Sequence, residues 1–283
     1  MRAMTTIDQT QRAAVMTWPS SQPAPAAAAA ERRRAVREQP APLEAVWARS
    51  EADVRAVQRL RYRVFVEEMG ATPPQRPHLP GHDCDAFDAY CEHLMVRTVA
   101  TDREPARLLG TYRLLTPAAA RLAGGYYSET EFDLRPLDGL RAGMVELGRS
   151  CVDPQWRNGS VILTLWASLA EFMHRNGVQS VIGCASVPLL DGGLNAAALW
   201  RQLRLTHLAP AALQVRPRLP LPVQCLPGVE NVETPPLIKG YLRCGARVLG
   251  APAWDPDFRC ADLPLLLRWD DLSPSYRKHF VGA

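Results

Sequence analysis

A glutamate and an arginine three residues apart, Glu146 and Arg149, interrupt the apolar run Met144 to Val152 (MVELGRSCV) and are the residues of this chain best suited to chemistry. A charge inside an apolar strand is costly unless paired, and a carboxylate placed there beside an anion-attracting loop is more often catalytic than one on a free surface. Directly after the run, Asp153 to Ser160 carries Arg157, Asn158 and Gly159 at the start of a helix. Free amide groups there, with the positive end of the helix dipole, attract anions and carbonyl oxygens. A base beside such a loop fits a site that holds a long thioester.

The elements that position these residues are legible from spacing. Ile162, Leu165, Trp166, Leu169, Phe172 and Met173 recur every three or four residues and predict a helix that stops at Gly177. Val178 to Cys184 reads as a buried strand behind it. Upstream, Leu43 to Arg49 reads as a first strand. Ser50 with Asp53 resembles a capping box for a helix to about Met69, whose inner face is Val54, Val57, Leu60, Val64 and Phe65. A proline-rich loop follows and ends in Asp83, Asp85 and Asp88, after which Glu92 to Ala100 and Arg107 to Leu115 read as paired strands. Gly124 to Arg141 reads as an irregular connection. Beyond the central unit, helices are predicted over Leu194 to Leu208 and Leu237 to Cys244, with strands over Arg247 to Gly250 and Asp262 to Trp269. The sum is an α/β fold, a mixed, mostly antiparallel sheet flanked by helices.

The 283 residues divide into an Ala/Pro/Arg-rich tail over 1–42, expected to be disordered, and one domain over 43–283. A hydrophobic content of 47% suffices for a real core. The net charge of +4 suits anionic partners, and nothing points to nucleic acid. Seven cysteines form no CxxC pair, so neither a zinc knuckle nor a disulfide scaffold is indicated. No run of 18 apolar residues and no signal-peptide core occur, so a cytoplasmic protein is expected, at most peripheral to the inner face of a membrane.

Each charged block has a structural alternative. Arg61, Arg113 and Arg149 with Asp85, Asp88 and Glu146 could form an ion-pair network, because charges within apolar elements are costly unless paired. Cys151 precedes the loop where a thiol could attack a thioester, yet no histidine lies near it in sequence, and a buried structural cysteine is the better reading. His78, His82, Asp83 and His93 match no standard metal spacing, and no metal is expected.

In chain order, LRYRVF (60–65), DAFD (85–88), GTYRLL (110–115) and ELGR (146–149) resemble the pattern of the acyl-homoserine-lactone autoinducer synthases and their relatives in the GNAT acyltransferase fold. The stretch PPLIKGYLRCGARVLGAPAWDPDFRCADLPLLL (235–267) resembles the L-ornithine N-alpha-acyltransferase branch. The loop QWRNGS at 155–160 has fewer glycines than the phosphate-cradling loop of the fold, which suits a carrier-protein pantetheine better than coenzyme A.

The resemblance implies transfer of a 3-hydroxyacyl chain from acyl carrier protein to the α-amine of ornithine, giving lyso-ornithine lipid. No cofactor is implied beyond the carrier's pantetheine thioester. Glu146 would be the base and Arg149 would orient it or the loop. Asp85 and Asp88 would take an ammonium, Arg61 or Arg113 the carboxylate, and Phe65 would line the amino-acid pocket. Cys151, Val152, Arg157, Asn158, Gly159 and Ser160 would hold the acyl-pantetheine, with a backbone amide near Cys151 or Val152, at an expected bulge, meeting the oxyanion. The Trp166 helix and the Val181 to Cys184 strand would wall the acyl channel, and arginines 157, 175, 201 and 204 would attract the acidic carrier. The alternatives are an autoinducer synthase using S-adenosylmethionine and a catalytically silent carrier-binding protein.

Overall fold

Ser50 and Asp53 start the first helix as predicted. The Ser50 hydroxyl accepts the Asp53 amide at 3.2 Å and the Asp53 carboxylate accepts the Ser50 amide at 3.1 Å. The computed structural model describes residues 42–72, 79–228 and 232–272. The tail expected over 1–42 lies outside the described residues except for Pro42, as does His78.

The strand β1 (Leu43–Trp47) leads into helix α1 (Glu51–Tyr62), which continues as a π-helical turn over Arg63–Glu68. Then come β2 (Glu92–Thr98), β3 (Leu108–Leu115), the short helix α2 (Pro117–Ala123) and the two-residue strand β4 (Phe132–Asp133). The central unit is β5 (Met144–Val152), α3 (Ser160–Arg175) and β6 (Ser180–Pro188). It is followed by α4 (Leu194–Thr206), β7 (Arg216–Pro217), α5 (Pro236–Cys244), β8 (Arg247–Val248), β9 (Ala253–Asp255) and β10 (Cys260–Arg268). One sheet runs in the order β1-β2-β3-β5-β6-β10-β8, with β9 on β10. Within it only β5 and β6 are parallel.

Period-two alternation puts the two helices of the site on opposite faces of the sheet. On β3, Tyr112 and Leu114 pack with Val161, Leu165 and Leu169 of α3. Arg113, between them, points the other way and shares Asp88 with Arg61 of α1. Of the face the spacing predicted for α3, Leu165, Leu169 and Met173 are buried and Ile162, Trp166 and Phe172 half-buried, while Val161 and Ala170 are buried in addition.

Two departures from regular pairing open the sheet. β5 pairs β6 only at Met144–Ser180, Val145–Val181 and Glu146–Ile182, after which β6 continues on β10 and β5 on β3. Gly183 stands at the parting, where a Cβ would come within 2.5 Å of the Leu147 carbonyl oxygen. The second departure is a bulge. Arg113 pairs Gly148 and Thr111 pairs Cys151, so Arg149 and Ser150 together oppose Tyr112. Arg149 absorbs the extra residue with φ of 50°, a left-handed conformation that a side chain adopts at a cost. The expected bulge near Cys151 thus lies one or two residues earlier.

Candidate active site

Glu146 is the last β5 residue paired to β6, and it is 5% exposed. Its carboxylate is held by a one-turn 3-10 segment, Tyr127–Thr130. The amides of Tyr127 and Ser128 donate to Oε2 and Oε1 at 2.6 and 2.7 Å, and the Ser128 hydroxyl donates to Oε1 at 2.5 Å. Burial raises the Glu146 pKa, and these donors, together with the more distant Arg113 charge, offset only part of the rise. Arg149 makes no contact with this carboxylate. The orienting role expected of Arg149 belongs to Tyr127 and Ser128.

Arg149 instead joins a buried ion-pair network. Arg61, with no exposed surface, donates to Asp83 at 2.6 Å and to Asp88 at 2.8 Å. Arg113 donates to both oxygens of Asp85 at 2.7 Å and to Asp88 at 2.8 Å. The Arg149 guanidinium reaches Asp85 at 3.2 Å and lies 4.8 and 4.3 Å from the ring centres of Tyr127 and Phe258. Burial would raise the carboxyls of Asp85 and Asp88, but the guanidiniums of Arg113 and Arg149 on the first, and of Arg61 and Arg113 on the second, outweigh it and hold both below the usual range. The network therefore forms much as its structural reading predicted, with Asp83 in the place of Glu146.

A cavity of about 840 Å³ opens where β5 and β6 part. Leu147 to Val152 of β5 line one wall and Cys184 to Ser186 of β6 the other. A second, apolar recess of about 110 Å³ lies between α3 and β6 and shares Tyr112, Leu147, Trp166, Cys184 and Tyr241 with the large cavity. Its other walls include Leu169, Met173, Val181 and Ile182, so the predicted acyl-channel surfaces do enclose space. The hydroxyls of Tyr112 and Tyr241 are bonded to each other at its entrance.

The start of α3 borders the cavity through Gly159 and Ile162. Asn158 Oδ1 accepts the Ser160 amide at 3.1 Å and its hydroxyl at 2.7 Å, which fixes the turn that enters the helix through Gly159.

The Acetyltransferase (GNAT) domain family matches residues 60–167, which span α1 to the middle of α3. The crystal structure of the AHL synthase LasI aligns with a TM-score of 0.50 and 14% identity over 86% of this chain and 96% of that one, which shows the fold. The L-ornithine N(alpha)-acyltransferase of Rhizobium meliloti (strain 1021) is 34% identical over 250 residues, 84% of each chain. The chain belongs to the L-ornithine N(alpha)-acyltransferase family. The family member from Rhodobacter capsulatus is likewise 34% identical, over 86% of this chain and 96% of its own length.

For this member of the L-ornithine N(alpha)-acyltransferase family the predicted site residues fall into two groups. Phe65, Arg113, Glu146, Arg149, Cys151, Val152, Arg157 and Gly159 line the large cavity. Arg61, Asp85, Asp88, Asn158 and Ser160 do not; they hold one another or the lining residues from behind. Cys151 packs with Leu60 and Val64, and burial pushes its thiol up to about 12, the surroundings of a structural cysteine rather than of an activated thiolate. Arg157, Arg175 and Arg201 are engaged within the chain, by Glu68, by Glu171 and by the carbonyls of Val223 and Leu226. Asp83 is bound by Arg61, and one ring nitrogen of His93 lies 3.2 Å from the Asp88 carbonyl.

Among the lining residues that the sequence did not point to, Tyr127, Ser128, Glu131, Asp255 and Asp262 carry polar groups that bear on the chemistry of the cavity. Asp262 carried the same signal as Glu146, a carboxylate inside an apolar strand. Tyr127, Ser128 and Glu131 lie in a stretch read as an irregular connection, and Asp255 ends a three-residue strand too short to show periodicity.

Proposed function

We propose that this chain transfers a 3-hydroxyacyl group from the pantetheine thioester of acyl carrier protein to the α-amine of L-ornithine, giving lyso-ornithine lipid. The observation that carries this reading is Glu146, a buried carboxylate with neutral donors and a raised pKa, in the cavity where β5 and β6 part. The relatives' names supply the amine; the mostly apolar recess beside the cavity suits the acyl chain.

In this mechanism the thioester lies along the free edge of β5 with its acyl chain in the recess. Glu146 Oε2 accepts one backbone donor, the Tyr127 amide, and retains a lone pair that takes the proton of the ornithine α-ammonium. The freed nitrogen forms a bond to the thioester carbon. The oxyanion is met by the peptide amides of Arg149 and Ser150, which the bulge removes from regular pairing with β3. The carbon–sulfur bond then breaks, the pantetheine sulfur leaves with a proton, and the amide is released. Arg149 and Arg113 attract the substrate carboxylate, and Arg61, Asp83, Asp85 and Asp88 position them. Val152, Arg157 and Gly159 cradle the pantetheine, and Asn158 with Ser160 fixes that turn.

Purified protein incubated with 3-hydroxyacyl carrier protein and ornithine yields an N-acyl product visible by mass spectrometry, and coenzyme A thioesters are weaker donors. Glu146→Gln lowers kcat/KM about 100-fold or more while the melting temperature stays within a few degrees. Absence of product with every amino acid tested, or full activity of the glutamine variant, sinks the reading.

A further inference from the structure

The same cavity holds three carboxylates that the acyl transfer itself does not use. Glu131 follows the turn that grips Glu146, Asp255 ends β9, and Asp262 is the third residue of β10. Asp262 is 3% exposed, and its partners are neutral: the Ser186 hydroxyl at 2.5 Å and the Cys260 thiol at 3.6 Å. Asp255 accepts the amides of Asp257 and Phe258 at 2.8 and 2.9 Å. Glu131 Oε2 is buried and has no hydrogen-bond partner. Among the described residues no arginine or lysine forms an ion pair with any of the three, whereas Asp83, Asp85 and Asp88 are each paired with an arginine.

Buried carboxylates without a counter-charge are costly and repel one another. Burial first, then the charges of Asp262 and Asp255, push the Glu131 carboxyl up to about 9, and burial pushes Asp262 to about 6. Glu131 lines a ligand-sized cavity with a buried oxygen that has no hydrogen-bond partner, and a cationic donor in that cavity would satisfy it. One candidate is a metal, since Asp255, Cys260 and Asp262 bring ligand atoms within 4.8 Å of one another. Glu131 lies outside that ligand set, however, and Asp255 and Asp262 are already held by neutral donors, so a metal there would leave the Glu131 oxygen unsatisfied. An ammonium needs only three acceptors, and three carboxylates supply them.

The cluster is joined to the base through a short chain of contacts. Ser128 Oγ donates to Glu146 and lies 3.6 Å from Cys184 Sγ, which neighbours Glu131. Arg149, with its side chain 10% exposed, lines the same cavity. A diamino acid thus meets a base, an arginine and an acidic cluster in one space.

We propose that Glu131, Asp255 and Asp262 form an ammonium subsite that holds the side-chain nitrogen of a diamino acid and directs acylation to its α-amine. This assignment rests on the acyltransferase reading above and adds a reason for its selectivity. Carboxylates around an amine favour its protonated form. A protonated nitrogen has no lone pair to attack a thioester, while the α-amine beside Glu146 can lose its proton. One cluster then both selects the diamine and silences its second nitrogen.

The discriminating substrate is norvaline, which is ornithine without the terminal ammonium. Wild-type protein, assayed for thiol release from an acyl thioester, is expected to prefer ornithine over norvaline by about 100-fold or more in kcat/KM. Glu131→Gln and Asp262→Asn lower the ornithine value at least about 10-fold, chiefly through KM, and leave norvaline nearly unchanged. Tandem mass spectrometry detects side-chain-acylated product only in the variants. Calorimetric titration of ornithine and norvaline onto wild-type protein gives the same ranking without turnover, so the assignment can fail or stand even if no acyl transfer is seen. Asp255→Asn, at a position of intermediate burial where the asparagine oxygen can still accept the Asp257 and Phe258 amides, provides a folded variant if the others do not fold. Equal losses for both amino acids, no wild-type preference, or activity that disappears with a chelator and returns with a divalent cation overturns the proposal.

Discussion

Ser128 donates two hydrogen bonds to one oxygen of the Glu146 carboxylate, from its amide at 2.7 Å and from its hydroxyl at 2.5 Å. The turn that carries Ser128 therefore sets both the direction and the acidity of the proposed base. The Ser128 donors lower the Glu146 pKa against the larger effect of burial. Removing the hydroxyl must raise that pKa further. A base acts when deprotonated, so activity falls as pH drops through its pKa. Ser128→Ala is expected to move the acidic limb of the kcat/KM profile to higher pH and to reduce the value at pH 7 about 10-fold. An unshifted limb would detach Ser128 from the base.

The ion-pair network predicts a loss of stability rather than of chemistry at Asp88. Its carboxylate takes Arg61, Arg113 and Gln58 at 2.8, 2.8 and 2.9 Å. Asp88→Asn keeps the shape and removes the charge, which leaves buried guanidiniums undercompensated. A cost of about 3–5 kcal/mol is expected in urea unfolding. Because Asp88 has a pKa below the usual range in the folded protein, its stabilisation is present above the ordinary carboxylate pKa and disappears as pH falls toward the folded value. The difference between wild type and variant should accordingly shrink in acid, and a difference independent of pH would reject the charge argument.

What could be read from the sequence followed the length scale of the interaction. Helices α1 and α3 were legible because their apolar periodicity is local, and the Ser50–Asp53 cap because its partners are three residues apart. Glu146 was legible as a charge within an apolar strand. The partners of each charge were not. Asp83 replaced Glu146 as the network's third carboxylate because a loop with no periodicity carries it over Arg61. Tyr127 and Ser128 lie in a segment read as an irregular connection, whose single 3-10 turn is stabilised by the distant carboxylate it binds. Asp262 carried a local signal, a carboxylate in the run CADLPLLL, but its meaning depends on Glu131 and Asp255 arriving from other elements.

The acyl recess makes a prediction through Gly240 of α5. A Cβ there would come within 2.3 Å of the Trp166 ring, so Gly240→Ala must push the indole, a wall of the recess, away from α5. Displaced into the recess, the ring shortens the chain that fits. Thioesters of long acyl chains should lose at least about 10-fold in kcat/KM and short ones little, since each methylene excluded from an apolar pocket costs binding. A uniform loss across chain lengths would mean that the recess does not hold the acyl group.

Glu131 and Asp262 give stability a pH dependence of the opposite sign to that of Asp88. The Glu131 carboxyl is raised from 4.5 to about 9 and that of Asp262 from 3.8 to about 6, both chiefly by burial. A group whose folded pKa is raised binds its proton more tightly in the folded state. Its contribution is complete below the unfolded pKa and is lost as pH rises through the folded one. For Asp262 the loss falls between pH 4 and 6, and for Glu131 it extends to pH 9. Glutamine cannot ionise, so the melting temperature of Glu131→Gln should fall less than that of wild type between pH 6 and pH 9, by about 2–4 °C for each kcal/mol of repulsion removed. Saturating ornithine should flatten the wild-type slope in the same way, because a bound ammonium neutralises the cluster, and norvaline should not. Parallel melting curves for wild type and Glu131→Gln across that range would show that Glu131 does not titrate there.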